Sequence, residues 1–219
     1  MPTSTVEDYL KQMLLEEERQ PGSRVSTGAL AAVLGVTPGT VTSMVKTLAD
    51  SGLVDHEAYA GAALTPAGRQ LALHVLRRHR LIELFLVKVL GFDWSEVHAE
   101  AERLEHALSD RLVERIDEML GHPATDPHGD PIPSAAGEVP SAELPSLATV
   151  AVGARVTIAR VADQEPEFLR FAERLGLRPG ARLAVHARDA ASDALVLDLG
   201  RGRSASLGLR AAAKIFVER

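Results

Sequence analysis

Apolar residues at helical spacing open the chain, with Val6, Leu10, Met13 and Leu14 marking one face of a helix that runs to about Glu18, where "RQPGSR" ends it. Two short helices follow. "STGALAAVLGV" has Ser26 or Thr27 as its N-cap and breaks at Gly35. "TPGTVTSMVKTLADSGLV" restarts with Thr37 as N-cap and Pro38 at the first helical position, where proline has no needed N–H to lose. Val41, Val45 and Leu48 supply the buried face of this second helix. Two short helices joined by a tight glycine-containing turn read as a helix-turn-helix. In "GLVDHEAYAGAALTPAGRQLA" two extended pieces flank "AYAG" before Thr65 and Pro66 start another helix, the layout of a β-hairpin wing.

A long helix rich in Leu, Val and Ile spans residues 66–90. After Gly91, with Ser95 as cap, "GFDWSEVHAEAERLEHALSDRLVERIDEML" is expected to form a second long amphipathic helix, whose face carries Val97, Ala101, Leu104 and Leu108. From Gly121 to about Leu147 six prolines and no periodicity mark a linker or an extended arm. The tail alternates in several short strands around one helix and reads as a small β-barrel. The fold class is therefore α+β.

No run reaches the ~18–20 apolar residues of a membrane span, and "MPTSTVEDYLKQ" lacks the basic and apolar regions of a signal peptide, so a cytoplasmic protein without a membrane partner is expected. With no cysteine, disulfides, thiolate nucleophiles and thiolate metal sites are excluded, and any metal is held by nitrogen and oxygen. The net charge of −6 is unevenly spread. Residues 1–80 carry 8 basic and 8 acidic side chains, residues 81–121 carry 4 and 10, and residues 122–219 carry 12 and 12. Within 24–80 the balance is six basic to three acidic, a locally positive surface suited to DNA beside an acidic helical segment suited to cations.

The acidic segment holds the candidate chemistry. His98, Glu102 and Glu105 each sit one position beyond an apolar residue of the expected helix, and His106 follows Glu102 by four, so Glu102, Glu105 and His106 can converge beside the core. Any one of them alone reads as a solvated acidic helix; their convergence points to a divalent cation. For DNA, Thr37, Pro38, Gly39, Thr40, Thr42, Ser43 and Lys46 lie along the exposed side of the second short helix. Hydroxyls and small residues there fit close approach to phosphates and thymine methyls, with Arg24 and the wing around Tyr59 as further phosphate contacts.

"GVTPGTVTSMVKTLADSGLV", "LTPAGRQLA", "RRHRLIELFL", "VHAEAERLEHALSD" and "HGDPIP" stand in the order and spacing of the diphtheria toxin repressor family of metal-dependent transcriptional repressors, which residues 1 to about 134 resemble. The tail, with "LGLRPGARLAV", resembles the SH3-like domain of the longer members. The resemblance implies a winged-helix DNA-binding domain at 1–73, a helical metal-binding and dimerisation domain at 74–121, a proline-rich linker at 122–147 and an SH3-like domain at 148–219. Carried over by position, Asp8, Glu102, Glu105 and His106 match the primary activating site, and His79, Glu83 and His98 the ancillary site. The iron-type branch has thioether and thiol side chains at the positions of Asp8 and Glu102, so the carboxylates here resemble the manganese-type branch. That branch carries a carboxylate where this chain has Lys11, which favours two separate cation sites over a pair. In the third domain, Asp163, Gln164, Glu165 and Glu167 read as a charged, solvated turn, with a metal ligand among them as the alternative.

The expectation is a non-enzymatic repressor of metal-ion homeostasis that is activated by Mn(II), or alternatively Fe(II), and binds palindromic double-stranded operators as a homodimer. Two other classes fit parts of the sequence. A winged-helix regulator of a small organic ligand needs an apolar effector pocket. A metallohydrolase needs an open coordination position and a substrate cleft, and leaves the helix-turn-helix unexplained.

Overall fold

Hydroxyl side chains start the first three helices. Thr3 accepts from the Val6 N–H at the head of α1 (Ser4–Arg19), Ser26 from Ala29 at α2 (Thr27–Leu34), and Thr37 from Thr40 at α3 (Pro38–Asp50). The computed structural model describes residues 3–57, 60–140 and 143–219, so the expected wing contact at Tyr59 lies outside the described residues. Gly35 ends α2 in the left-handed region at φ 65°, where a β-carbon is disfavoured. Leu10, Met13, Leu14, Leu30, Val41, Val45 and Leu48 are buried, so the apolar stripes of the sequence are the core.

Strands β1 (Val54–Glu57) and β2 (Gly61–Leu64) pair antiparallel with Val54 opposite Leu64, forming the wing. The wing is tied down by Glu17, which accepts from the Leu64 N–H at 2.7 Å. Helix α4 (Pro66–Lys88) follows, and the division between two compact units falls inside it. One unit comprises residues 1–79 with 133–138, the other residues 80–132 with 139–219.

The expected long helix after Gly91 is two helices, α5 (Val97–Leu104) and α6 (Asp110–Met119). Ser109 accounts for the break. Its hydroxyl accepts from the Leu112 N–H and caps α6, with Asp110 in the first turn, so the chain gains a cap by leaving the helix. Consequently Leu104 is exposed rather than buried, while Val97 and Ala101 are buried as expected. Ser95 does not cap α5. Its hydroxyl and N–H both donate to Asp93 Oδ1, at 2.6 and 2.8 Å, in the turn ahead of the helix.

Within the proline-rich stretch Asp126, His128, Asp130 and Ile132 are buried. After a single 3-10 turn at Leu147–Thr149 the chain forms strands β3 (Arg155–Val161), β4 (Arg182–Asp189), β5 (Ala194–Asp198), β6 (Ser204–Gly208) and β7 (Ile215–Glu218), with helix α7 (Pro166–Leu175) after β3 and the short α8 (Leu209–Ala212) before β7. These strands make one antiparallel sheet in the order β6-β5-β4-β3-β7. Its core includes Ile158, Leu169, Leu177, Val185, Leu197 and Val217, and also Trp94 from the α4–α5 connection. The helical part of this unit and its sheet thus share a core. Among the described residues no single helix is long and apolar enough to cross a membrane.

Candidate metal centre

Helix α5 carries His98 and Glu102, and the turn that ends it carries Glu105 and His106. His98 sits between two carboxylates: its Nδ1 is 3.2 Å from Glu83 Oε1 on α4, and its Nε2 is 3.7 Å from Glu102 Oε1. His106 Nε2 is 3.3 Å from Glu105 Oε1. Glu83 and Glu105 are fully buried, which for carboxylates demands compensation by charge or by an ion. Two donors ~2.1–2.2 Å from one ion, at ~90–110° to each other, stand ~3.0–3.6 Å apart. The 3.2 and 3.3 Å pairs fall in that range, so these residues fit a divalent cation.

The remaining expected ligands lie in the unit of residues 1–79. Asp8 is half-buried on α1. His79 is buried on α4, one turn before Glu83 on the same helix. Lys11, which stands where the manganese-type pattern has a carboxylate, is almost fully buried on α1.

A second cluster lies behind the first. Glu83 Oε2 is 3.8 Å from His128 Nδ1, which in turn is 4.0 Å from Asp126 Oδ2, and all three side chains are fully buried. Burial pushes the Asp126 carboxyl up to about 8, with Asp130 and Glu83 adding repulsion. Burial alone would lower the His128 imidazolium, but the Glu83 and Asp126 carboxylates outweigh it and hold it up at about 9. Sequence reasoning missed Asp126 and His128 because they lie in the aperiodic segment. The available signal was the dense polar run "DPHGDPIP".

The third-domain turn is only partly solvated. Gln164 Nε2 donates to Asp130 Oδ2 at 2.9 Å, and Asp163 pairs with Lys214 and accepts from the Glu165 N–H. On α3, Thr37, Pro38, Gly39, Thr40, Ser43 and Lys46 are exposed and Thr42 is half-buried, its hydroxyl donating to Pro38 O. Arg24 is held by the wing, donating to Asp55 O at 2.9 Å and to Asp55 Oδ2 at 2.6 Å.

Comparison with known proteins agrees with this layout along the chain. Residues 1–62 match the family model described as "Iron dependent repressor, N-terminal DNA binding domain", residues 65–134 match "Iron dependent repressor, metal binding and dimerisation domain", and residues 146–219 match "FeoA domain". The "Iron-dependent repressor IdeR" of Mycobacterium leprae is 35% identical over 207 residues, 88% of each chain. The chain belongs to the iron-dependent repressor family. It is a metal-dependent, DNA-binding transcriptional repressor with a C-terminal FeoA domain.

Similarity extends to the manganese-responsive side of this family. A solved "Manganese-dependent transcriptional repressor complex with manganese" is 43% identical, with a TM-score of 0.87 over 97% of this chain and 98% of that one. The "HTH-type transcriptional regulator MntR" of Lysinibacillus sphaericus is 36% identical over 120 residues, 55% of this chain and 84% of that protein.

Proposed function

We propose that this repressor is activated by Mn(II), with Fe(II) as the alternative, and binds palindromic operators as a homodimer in the cytoplasm, without catalytic activity of its own. The observation that carries the metal choice is the donor set. Asp8, Glu102, Glu105 and His106 offer three carboxylates and one imidazole, with no sulfur, and such mostly hard sets accept Mn(II). The 3.3 Å spacing of Glu105 and His106 supports their sharing one ion. We assign His79, Glu83 and His98 to an ancillary position, supported by the 3.2 Å approach of His98 to Glu83.

A bound divalent ion supplies positive charge that offsets the gathered carboxylates. The chain's own residues do the rest: Asp8 belongs to the helix that begins the DNA-binding domain, whereas Glu102, Glu105 and His106 belong to the metal-binding and dimerisation domain. Ligands so far apart in sequence make operator binding depend on the metal, since an ion that prefers the DNA-competent arrangement ~100-fold shifts the equilibrium by ~2.7 kcal/mol. In the DNA-binding domain, Thr37, Pro38, Gly39, Thr40, Thr42, Ser43 and Lys46 of α3 are assigned to the groove and its phosphates, and Arg24 to the wing flank. Exposed Val89, Leu90, Phe92, Leu112 and Met119 support a dimer seam on the helical domain, because large apolar side chains left open on it are what a partner copy covers.

Selection of operators from a random duplex pool tests this reading. Chelator-treated protein should enrich nothing beyond background, and the same protein with Mn(II) should enrich sites with two-fold symmetry. Enrichment independent of metal would contradict it.

A further inference from the structure

Arg24 meets the wing through all of its guanidinium nitrogens. Its Nη1 donates to the Asp55 carbonyl oxygen at 2.9 Å, its Nη2 to Asp55 Oδ2 at 2.6 Å, and its Nε lies 3.7 Å from Glu57 Oε2. We propose that Asp55 and Glu57 are specificity-determining residues: they occupy Arg24 in place of a DNA phosphate, and so hold the wing flank off duplexes that α3 does not fit. This role rests on the reading of α3 and the wing flank as the operator-binding surface, and adds to it a means of rejecting other DNA.

The grip is built into the hairpin. Val25 and Ala62 exchange N–H···O bonds at 2.7 and 2.9 Å, so the chain just before α2 lies along the outer edge of β2. Asp55 and Glu57 are both exposed and alternate with buried Val54 and half-buried His56, which puts the two carboxylates on one face of β1. Asp55 stands opposite Ala63 and Glu57 opposite Gly61, and opposite residues of an antiparallel pair share a face. Small residues at both places leave room for the Arg24 side chain to cross β2 and reach the carboxylates.

Charge on this surface is scarce. Residues 53–64 contain Asp55 and Glu57 and no lysine or arginine, and between residues 20 and 65 the only formal cations are Arg24 and Lys46, against Asp50, Asp55 and Glu57. Sequence-independent binding to DNA comes from cations that neutralise phosphates, so engaging one cation of two suppresses it. The pair is also easy to exchange. The Asp55 side chain is 66% exposed, and ion pairs in water are weak, so Arg24 moves from Asp55 to a phosphate once contacts from α3 hold the wing flank against its site. On a duplex without those contacts, nothing offsets the lost pair or the repulsion between carboxylate and phosphate. Specificity is a difference of affinities, and this arrangement widens it by weakening the wrong complex.

The test is fluorescence anisotropy of the full-length protein with Mn(II), on a selected operator duplex and on a scrambled duplex of equal length, across a range of salt. Asp55→Asn combined with Glu57→Gln keeps both side-chain shapes and removes both charges. The double variant is expected to bind the scrambled duplex ~10-fold more tightly than the parent, with a slope of log affinity against log salt steeper by about 1 as Arg24 takes a phosphate. Operator affinity is expected to rise by less, so the ratio of the two affinities falls. Adding Arg24→Ala to the double variant is expected to remove the extra slope. Unchanged affinity for the scrambled duplex, or an equal gain on both duplexes, overturns the proposal. Should the double variant fail to fold, Glu57→Gln alone decides by the same comparison, with a smaller gain on the scrambled duplex expected and no gain overturning the role. A parent protein that does not prefer the operator even with Mn(II) contradicts the operator-binding reading itself, whereas a parent that prefers it and a variant that keeps the full preference contradict only the role of Asp55 and Glu57.

Discussion

Gly129 packs so tightly against Ala159 that a methyl group on it would lie 2.0 Å from the Ala159 carbonyl oxygen. Gly129 also holds φ at +87°, a conformation that strains any residue with a β-carbon. Between the buried His128 and Asp130, this glycine lets the proline-rich segment lie against the edge of β3. Gly129→Ala is expected to destabilise the unit of residues 80–132 and 139–219 by about 2–5 kcal/mol, combining strain with overpacking. Thermal melts of the two proteins check this, and an unchanged melting temperature would contradict the packing described.

Asp93 sets the turn ahead of α5. The hydrogen bonds from the Ser95 hydroxyl and N–H hold its carboxyl below the usual range, outweighing a small opposing effect of burial. A lowered folded-state pKa contributes stability above the unfolded value and loses it as pH falls through the folded one. Asp93→Asn is therefore expected to be less stable than the parent at neutral pH, with the gap closing below about pH 4. Denaturant melts across pH 2–7 check the sign.

Lys46 is exposed on α3. If it meets a phosphate, Lys46→Ala lowers affinity for all sequences alike and reduces the slope of log affinity against log salt by about 1. Loss confined to one operator position would make Lys46 a base reader instead.

The metal preference is open to reversal. Replacing Asp8 by Met and Glu102 by Cys substitutes two soft donors for two hard ones, which is expected to weaken the Mn(II) response relative to Fe(II) or Co(II) while the dimer stays folded. DNA binding at matched free-ion concentrations checks it, and full Mn(II) activation of the double variant would remove Asp8 and Glu102 from the activating site.

The helix-turn-helix and its wing were legible in the sequence because their determinants are local: Ser26 and Thr37 caps, Pro38, Gly35, and apolar residues at helical spacing. The metal-binding helix was legible as chemistry but not as geometry. Apolar periodicity continues through Leu104, Leu108 and Leu112, and it concealed the Ser109 cap, although Leu104 and Leu112 prove exposed. Asp126 and His128 were illegible for a different reason. Their place depends on bonds from side chain to backbone and on contacts with Glu83, Trp94 and Val161, distant in sequence, and no periodicity encodes those.

The central claim is that Mn(II), through Glu105, His106 and their partners, switches operator binding on. Fluorescence anisotropy of a labelled operator duplex, with chelator-treated protein and buffered free Mn(II), measures this directly. The parent protein is expected to gain ~100-fold or more in affinity when Mn(II) is added, and His106→Ala to lose most of that gain while remaining a folded dimer. Equal affinity of the parent protein in chelator and in Mn(II) would contradict the account.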